Sequence, residues 1–336
     1  MIRIGVIGCG YWGPNLIRNL FKVEGCTPVA VADLDPKRLE VIGRLYPGLH
    51  RSTSADEVLS APDLDAVVIA TPISTHYTLA RRALEAGKHV LVEKPLTATS
   101  AEGEALVRRA EEAERVLMVD HTFIYSGAVQ KIRQLIETGE LGHVYYYDAV
   151  RVNLGLFQRD VNVIWDLASH DFSIMTYLLD KQPVKVQSVA AAPIHWDGWK
   201  QESIAYITME FSDGTLAHFH VNWLTPVKIR RIVIGGSRKT VIYDHLDPDN
   251  QVKIFDKGVE VLPELERFHT LVQYRTGDMI APKIDQTEAL ELVCRHFVDC
   301  IRLGRRPLTA GPEGLRVVRL LEAAQRSMND HTVIHL

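Results

Sequence analysis

The chain lacks long apolar runs, a basic excess and paired cysteines, and each absence removes a class of function. Its apolar stretches, such as residues 66–70, are strand-length and fall far short of the roughly 20 residues a membrane-spanning helix needs. No charged-then-apolar leader opens the sequence, which enters a strand pattern at Ile2, so a signal peptide is not expected. Lysine and arginine total 38 against 42 aspartates and glutamates, a formal net charge of −4. That balance offers no basic stripe to a nucleic acid, so a bound phosphate must be held by local groups. The four cysteines, Cys9, Cys26, Cys294 and Cys300, form no CxxC pair. A reducing cytoplasm suits them better than a disulfide framework, and no metal site is expected.

What is present is enough for two domains: 336 residues, 46% of them hydrophobic. The first part alternates strands (2–7, 27–32, 66–70, 89–92, 115–119) with helices (15–21, 36–45, 77–86, 100–113). Short continuous apolar strands separated by helices indicate a parallel sheet covered on both faces. Near residue 120 the pattern changes. After a helix at 128–138 come strands at 144–152, 184–192, 203–211, 216–223, 228–235, 239–244 and 251–255, with turn signals such as Asp213-Gly214. One helix, 166–179, interrupts them, and two more, 287–303 and 313–328, end the chain. The expected architecture is α/β: residues 1–120 form a doubly wound parallel sheet, and residues 121–336 form an α+β domain with a large, mostly antiparallel open sheet. The last helix is free to pack back on the first domain. The sheet's open face, with apolar residues such as Val221 and Val233, needs cover, so a homodimer or homotetramer is expected.

Gly8-Cys9-Gly10-Tyr11-Trp12-Gly13 is a GxGxxG directly after a strand and opening a helix, the context that gives the motif meaning. Gly8 permits the tight turn, Gly10 lets a pyrophosphate approach the backbone, and Gly13 allows close helix–strand packing. Tyr11 and Trp12 complete a cofactor-binding loop at a helix N-terminus, whose free N–H groups favour phosphate. The first domain is therefore read as a Rossmann domain. Asp33 ends the second strand, where an acid bonds the ribose hydroxyls of NAD and repels the extra phosphate of NADP. Lys37 and Arg38 lie close enough to hold a 2′-phosphate, yet the acid favours NAD. Thr71 and Pro72, at the end of the third strand, should line the cofactor. His76 either joins them or sits on the surface of the next helix.

Glu93-Lys94-Pro95 follows the fourth strand. Charged residues directly after a buried strand are unusual without partners or function. Beside the positive charge of an oxidised nicotinamide a lysine gives up its proton more readily, which suits it to base chemistry. A surface salt bridge is the plainer reading of the same residues. Asp166 and His170 are spaced i, i+4, so on a helix they share a face, and a carboxylate beside an imidazole sets its tautomer. On spacing alone, a helix N-cap aspartate and a partly exposed histidine are the plainer reading.

Together these motifs resemble the Gfo/Idh/MocA oxidoreductases. The resemblance rests on Gly8–Gly13, Asp33, Ala70-Thr71-Pro72, Glu93-Lys94-Pro95, the segment from Asp166 to His170 and Asp171, and the 304–309 turn, and it extends over essentially the whole chain. It implies a Rossmann domain followed by a mostly antiparallel open sheet, with catalytic roles for Lys94, Asp166 and His170 and cofactor contacts from Glu93 and Lys94. It also implies that Tyr125 approaches the nicotinamide or substrate.

Arg151, Asn153, Arg159 and Asn162 lie in a polar stretch unsuited to a core. They are candidates for substrate binding, or simply solvated loop residues. Lys228 and Arg230 share a strand face near Trp223, which could stack on a sugar or base. His170 completes the substrate-binding set. The segments 151–170, 223–230 and 276–285 look most similar to members that oxidise C3 of UDP-linked N-acetylated sugars in surface-polysaccharide and aminosugar biosynthesis. The expected function is hydride transfer between a sugar CH–OH carbon and NAD. The alternatives are a free polyol or inositol-type dehydrogenase, an NAD-dependent glycosidase, and an NAD-binding regulator without catalysis.

Overall fold

The computed structural model describes residues 1–155, 157, 160–195, 198, 200–261 and 272–336. The chain forms two compact units. One comprises Met1–Tyr125 with Thr287–Glu322, the other Ser126–Gln286 with Ala323–Leu336.

The first unit is built on β1 (Ile2–Ile7), α1 (Gly13–Leu20), β2 (Cys26–Ala32), α2 (Pro36–Leu45), β3 (His50–Ser52), α3 (Ala55–Ser60), β4 (Ala66–Ile69), α4 (Ile73–Glu85), β5 (His89–Glu93), α5 (Ser100–Glu112) and β6 (Leu117–Asp120). All strand pairs are parallel, in the order β3-β2-β1-β4-β5-β6. This order reverses direction between β1 and β4, which opens a crevice at the carboxyl ends of those strands. Ile4, Val6 and the whole of β4 are fully buried, as strands covered on both faces must be. The sequence reading contained neither β3 nor α3. β3 is a three-residue edge strand of sequence His-Arg-Ser, two of whose residues are exposed, so no apolar period marks it.

The second unit contains α6 (Gly127–Glu137), β7 (Val144–Leu154), α7 (Ser169–Leu179), β8 (Pro183–Ala191), β9 (Ile204–Phe211), β10 (Leu216–Asn222), β11 (Leu224–Gly236), β12 (Thr240–Asp244), β13 (Val252–Phe255), β14 (Gly258–Val261), β15 (Val272–Arg275) and β16 (Met279–Ile280). After α8 (Ala289–Leu303) and α9 (Gly311–Asp330), β17 (Ile334–His335) closes the chain. Nine strands form one sheet in the order β16-β13-β12-β11-β7-β10-β9-β8-β17, antiparallel except where β10 runs parallel to β7. α7 is buried nearly all round, polar residues included, and Phe172 on it meets Phe219 of β10 edge-on at 4.8 Å.

Two expectations change. The single cut after residue 120 gives way to a first unit that also includes 287–322. There, at the start of α8, Glu288 accepts both guanidinium N–H groups of Arg18 at 2.9 and 2.6 Å. Val221 is not on the open sheet face: it is fully buried with Ala217 and Phe219. Only Val233, opposite Asp148 and Ile242 and half-buried, faces the other way. Strand parity decides this, because neighbours two apart share a face and register fixes which one.

Candidate active site

The cofactor loop is built from the backbone outward. Gly8 has φ +100°, and a Cβ there would stand 2.3 Å from the Ala70 carbonyl; a Cβ at Gly13 would strike the Gly8 carbonyl at 2.0 Å. Only glycine lets β1, α1 and β4 come this close. Above Gly10 the nearest heavy atom to such a Cβ is an Arg38 guanidinium nitrogen at 3.8 Å. No side chain caps α1 at Trp12, and Pro14 stands in its first turn, so its leading N–H groups remain for an anion. Open space above Gly10 and an uncapped helix end fit a pyrophosphate.

Asp33 does more than the sequence suggested. Its Oδ2 accepts from the Cys9 N–H at 2.6 Å and its Oδ1 from the Asp35 N–H at 2.8 Å, so it also shapes the glycine loop. Arg38 lies 3.7 Å from the same carboxylate. Burial, helped by the Asp33 charge, pushes the Cys9 thiol up to about 12, so it stays neutral. Tyr11 is well exposed and Trp12 partly so beside the loop. At the end of β4, the Thr71 hydroxyl bonds that of Thr75 at 2.7 Å, and Pro72 starts α4.

His76 is buried, not a surface residue. Its Nδ1 is 2.8 Å from the Pro95 carbonyl and its Nε2 2.8 Å from the Thr71 carbonyl. Set between these two backbone carbonyls, it links the loop after β4 to the loop carrying Lys94. Lys94 follows β5 and precedes Pro95 across a cis peptide bond. Its N–H donates to Glu93 Oε2 at 3.2 Å. Tyr125 is buried with its hydroxyl 3.0 Å from that of Thr309, so it is a framework residue and not a ligand contact.

In the second unit, Asp166 lies in a π-helical turn, Ile164–Ala168, that runs into α7, where His170 sits. The regular helix expected over 166–179 is thus widened by such a turn, a rare feature that occurs frequently at functional sites. Asp166 Oδ2 accepts from Trp223 Nε1 at 3.1 Å. Trp223 is fully buried, so it has no face to stack on a sugar; it orients Asp166 instead. Asn162 caps the turn. Its Oδ1 accepts from the N–H groups of Ile164 and Trp165, and its Nδ2 donates to Glu202 and Gln325, which leaves nothing for a substrate. Arg151 is buried in a two-bond ion pair with Asp171 at 2.9 and 2.8 Å and is likewise framework.

The remaining substrate candidates keep their availability. Arg230 is the register partner of Arg151 and half-buried, and Lys228 is exposed nearby. Among the described residues neither has an acidic partner, and Arg230 Nε is buried with no acceptor. Their charges are felt locally: burial, then Arg230, Arg151 and Lys228, push His245 down to about 4. Asn153 is half-buried two residues beyond Arg151. Arg159 lies outside the described residues. The sequence reading missed Asp120 and His121, two polar residues buried at the end of β6; a charged residue closing an apolar strand, as at Glu93, was the available signal for Asp120.

Residues 2–121 match the GFO/IDH/MocA oxidoreductase family, NAD-binding Rossmann fold, and residues 129–242 match the GFO/IDH/MocA C-terminal domain. The chain belongs to the GFO/IDH/MocA family. It is an oxidoreductase whose cofactor is NAD. UDP-N-acetylglucosamine 3-dehydrogenase of Acidithiobacillus ferrooxidans is 29% identical over 92% of this chain and 95% of its own length. The NAD⁺-dependent scyllo-inositol 2-dehydrogenase of Bacillus subtilis is 28% identical over 91% and 88%. A solved structure of the Acidithiobacillus enzyme superposes with a TM-score of 0.82 at 26% identity, covering 98% of each chain.

Proposed function

We propose that the protein oxidises a sugar CH–OH carbon, C3 of a nucleotide-linked sugar, with NAD. NAD, when bound, supplies the hydride acceptor. Gly8, Gly10 and Gly13 admit its pyrophosphate to the backbone, with Tyr11 and Trp12 beside it, and Asp33 accepts from its ribose. Thr71, Pro72 and Glu93 line its path, and His76 holds two of these loops together. Lys94 and His170 handle the hydroxyl proton, and Asp166, oriented by Trp223, sets the His170 tautomer.

The observation that carries the nucleotide-linked reading is the pair Lys228 and Arg230. Two cations without an acidic partner among the described residues, one with a buried donor left over, suit a diphosphate through charge-assisted hydrogen bonds. Asn153 completes the polar set. The inositol reading is supported by the Bacillus relative's nearly equal identity, but a free polyol gives those cations nothing to neutralise. The test is a screen of UDP-sugars, free sugars and inositols, read as NADH formation. Arg230→Ala should raise KM for a UDP-sugar and leave that for a free sugar unchanged. Inositol or free glucose turning over with far better kcat/KM than every UDP-sugar would refute the reading.

The open sheet face, with Tyr146, Val189 and Tyr206 exposed, is proposed to pair with a second copy into a homodimer or homotetramer. All four cysteines are free and buried, which suits a cytoplasmic setting. Among the described residues no helix is long and apolar enough to cross a membrane.

A further inference from the structure

Two buried carboxyls meet at the carboxyl ends of β5 and β6, and neither has a part in the proton transfer described above. Glu93 and Asp120 are register partners on these neighbouring strands, with exposures of 8% and 2%. Glu93 Oε2 accepts from the Lys94 N–H, and Asp120 Oδ1 accepts from the Thr122 hydroxyl at 2.7 Å. Asp120 Oδ2 is buried, and no donor among the described residues reaches it. A buried acceptor left over in this way calls for an explanation. The Glu93 carboxyl stands opposite Asp120 in the sheet register, and two carboxyls bond only if one carries a proton.

We propose that Asp120 is a positioning residue for Lys94, acting through Glu93: the two carboxyls hold one proton, Glu93 donates to Asp120 Oδ2, and a single buried negative charge stands beside the lysine. Both carboxyls ionised would bury two like charges side by side, and a proton held between them removes that cost. Burial, then the Asp120 charge, hold Glu93 well above the usual carboxyl range, while burial lifts Asp120 to about 6 against bonds that favour its anion. The Lys94 charge acts on both. The other groups facing the pair are neutral. Burial, then Lys94, push the His121 imidazole down to about 3. Burial raises the Tyr125 hydroxyl from the 3₁₀ turn after β6 and the Cys294 thiol from α8, and the Asp120 charge raises both further. The pair thus presents a single negative charge, on Asp120, to the Lys94 ammonium, and such a charge favours the ammonium form.

The inference rests on Lys94 handling a proton, as proposed above, and two readouts keep the two claims apart. Infrared spectroscopy of the NAD-loaded wild type at pH 8 should show the C=O stretch of a buried protonated carboxyl. Glu93→Gln should abolish it. In Glu93→Gln the amide still donates to an ionised Asp120, so, whatever the rate, the acid limb of the kcat/KM profile should stay in place. In Glu93→Gln/Asp120→Asn the pair carries no charge, and that limb should move about one pH unit lower, tenfold in proton affinity. Absence of the protonated-carboxyl band at pH 8 overturns the shared proton, and an unmoved limb in the double variant overturns the positioning role. Near-normal turnover in Lys94→Ala would instead remove the catalytic reading and leave the infrared result standing.

Discussion

The two units build their sites by different means. In the first, the ligand surface is backbone: glycines at Gly8, Gly10 and Gly13, an uncapped helix end, and strand termini aligned by a parallel sheet. In the second it is side chain against side chain, drawn from β7, β11 and the π-helical turn. Many of its polar residues hold one another: Arg151 with Asp171, Trp223 with Asp166, Asn162 with Glu202 and Gln325. A backbone site can be read from a local motif, since the motif is the geometry. A side-chain site depends on which face each residue takes in a sheet paired over long separations, and there a polar residue can be ligand or framework.

The largest expected effect tests the framework assignment. Arg151→Ala leaves Asp171 buried and unpaired and should cost about 3–5 kcal/mol of stability. Replacing both by apolar residues of similar size should recover much of it in a denaturation curve. A stable Arg151→Ala with a raised KM alone would return Arg151 to the substrate. Next, Lys94→Ala in the first unit and His170→Ala in the second should each lower turnover at least ~10²-fold, with NAD binding retained by fluorescence titration. If only one does, proton handling belongs to one unit. A smaller change is expected from Asp33→Ser, which should narrow the preference for NAD over NADP. It should also loosen the loop, because the Cys9 N–H loses its acceptor. A wild type that prefers NADP contradicts the role given to Asp33.

The smallest effect concerns pH. Burial is the leading cause that pushes His89, in the first unit, and His245, in the second, down to about 4. Unfolded imidazoles take up protons near pH 6.5 while these two refuse them. Their contribution to stability is therefore present above pH 6.5 and lost as pH falls toward 4. Tm should fall over that window, and His89→Gln should flatten its share. A Tm flat from pH 7 to 4.5 would contradict the buried neutral state.

The alternation of strands and helices, the glycine loop, Asp33 and the Lys94 segment were legible because each is local and periodic. β3 was not, being three polar residues on an edge. Trp223 and Arg151 were misread as ligand contacts for a common reason: the sequence shows an aromatic or a charge but not the partner 57 or 20 residues away that claims it. Val221 and Val233 were placed on one face because a register shift in β11 and the parity it sets are invisible before the strands pair. Asp120 carries no motif of its own; only the register with Glu93 gives it meaning.

The reaction proposed for this protein is hydride transfer from C3 of a nucleotide-linked sugar to NAD. The most direct measurement incubates the protein and NAD⁺ with UDP-N-acetylglucosamine deuterated at C3 and follows the label by mass spectrometry. The account predicts deuterium on the reduced nicotinamide and a 3-keto sugar nucleotide, both absent with Lys94→Ala. Unlabelled NADH, or no reduction with any UDP-sugar while an inositol is oxidised readily, would contradict it.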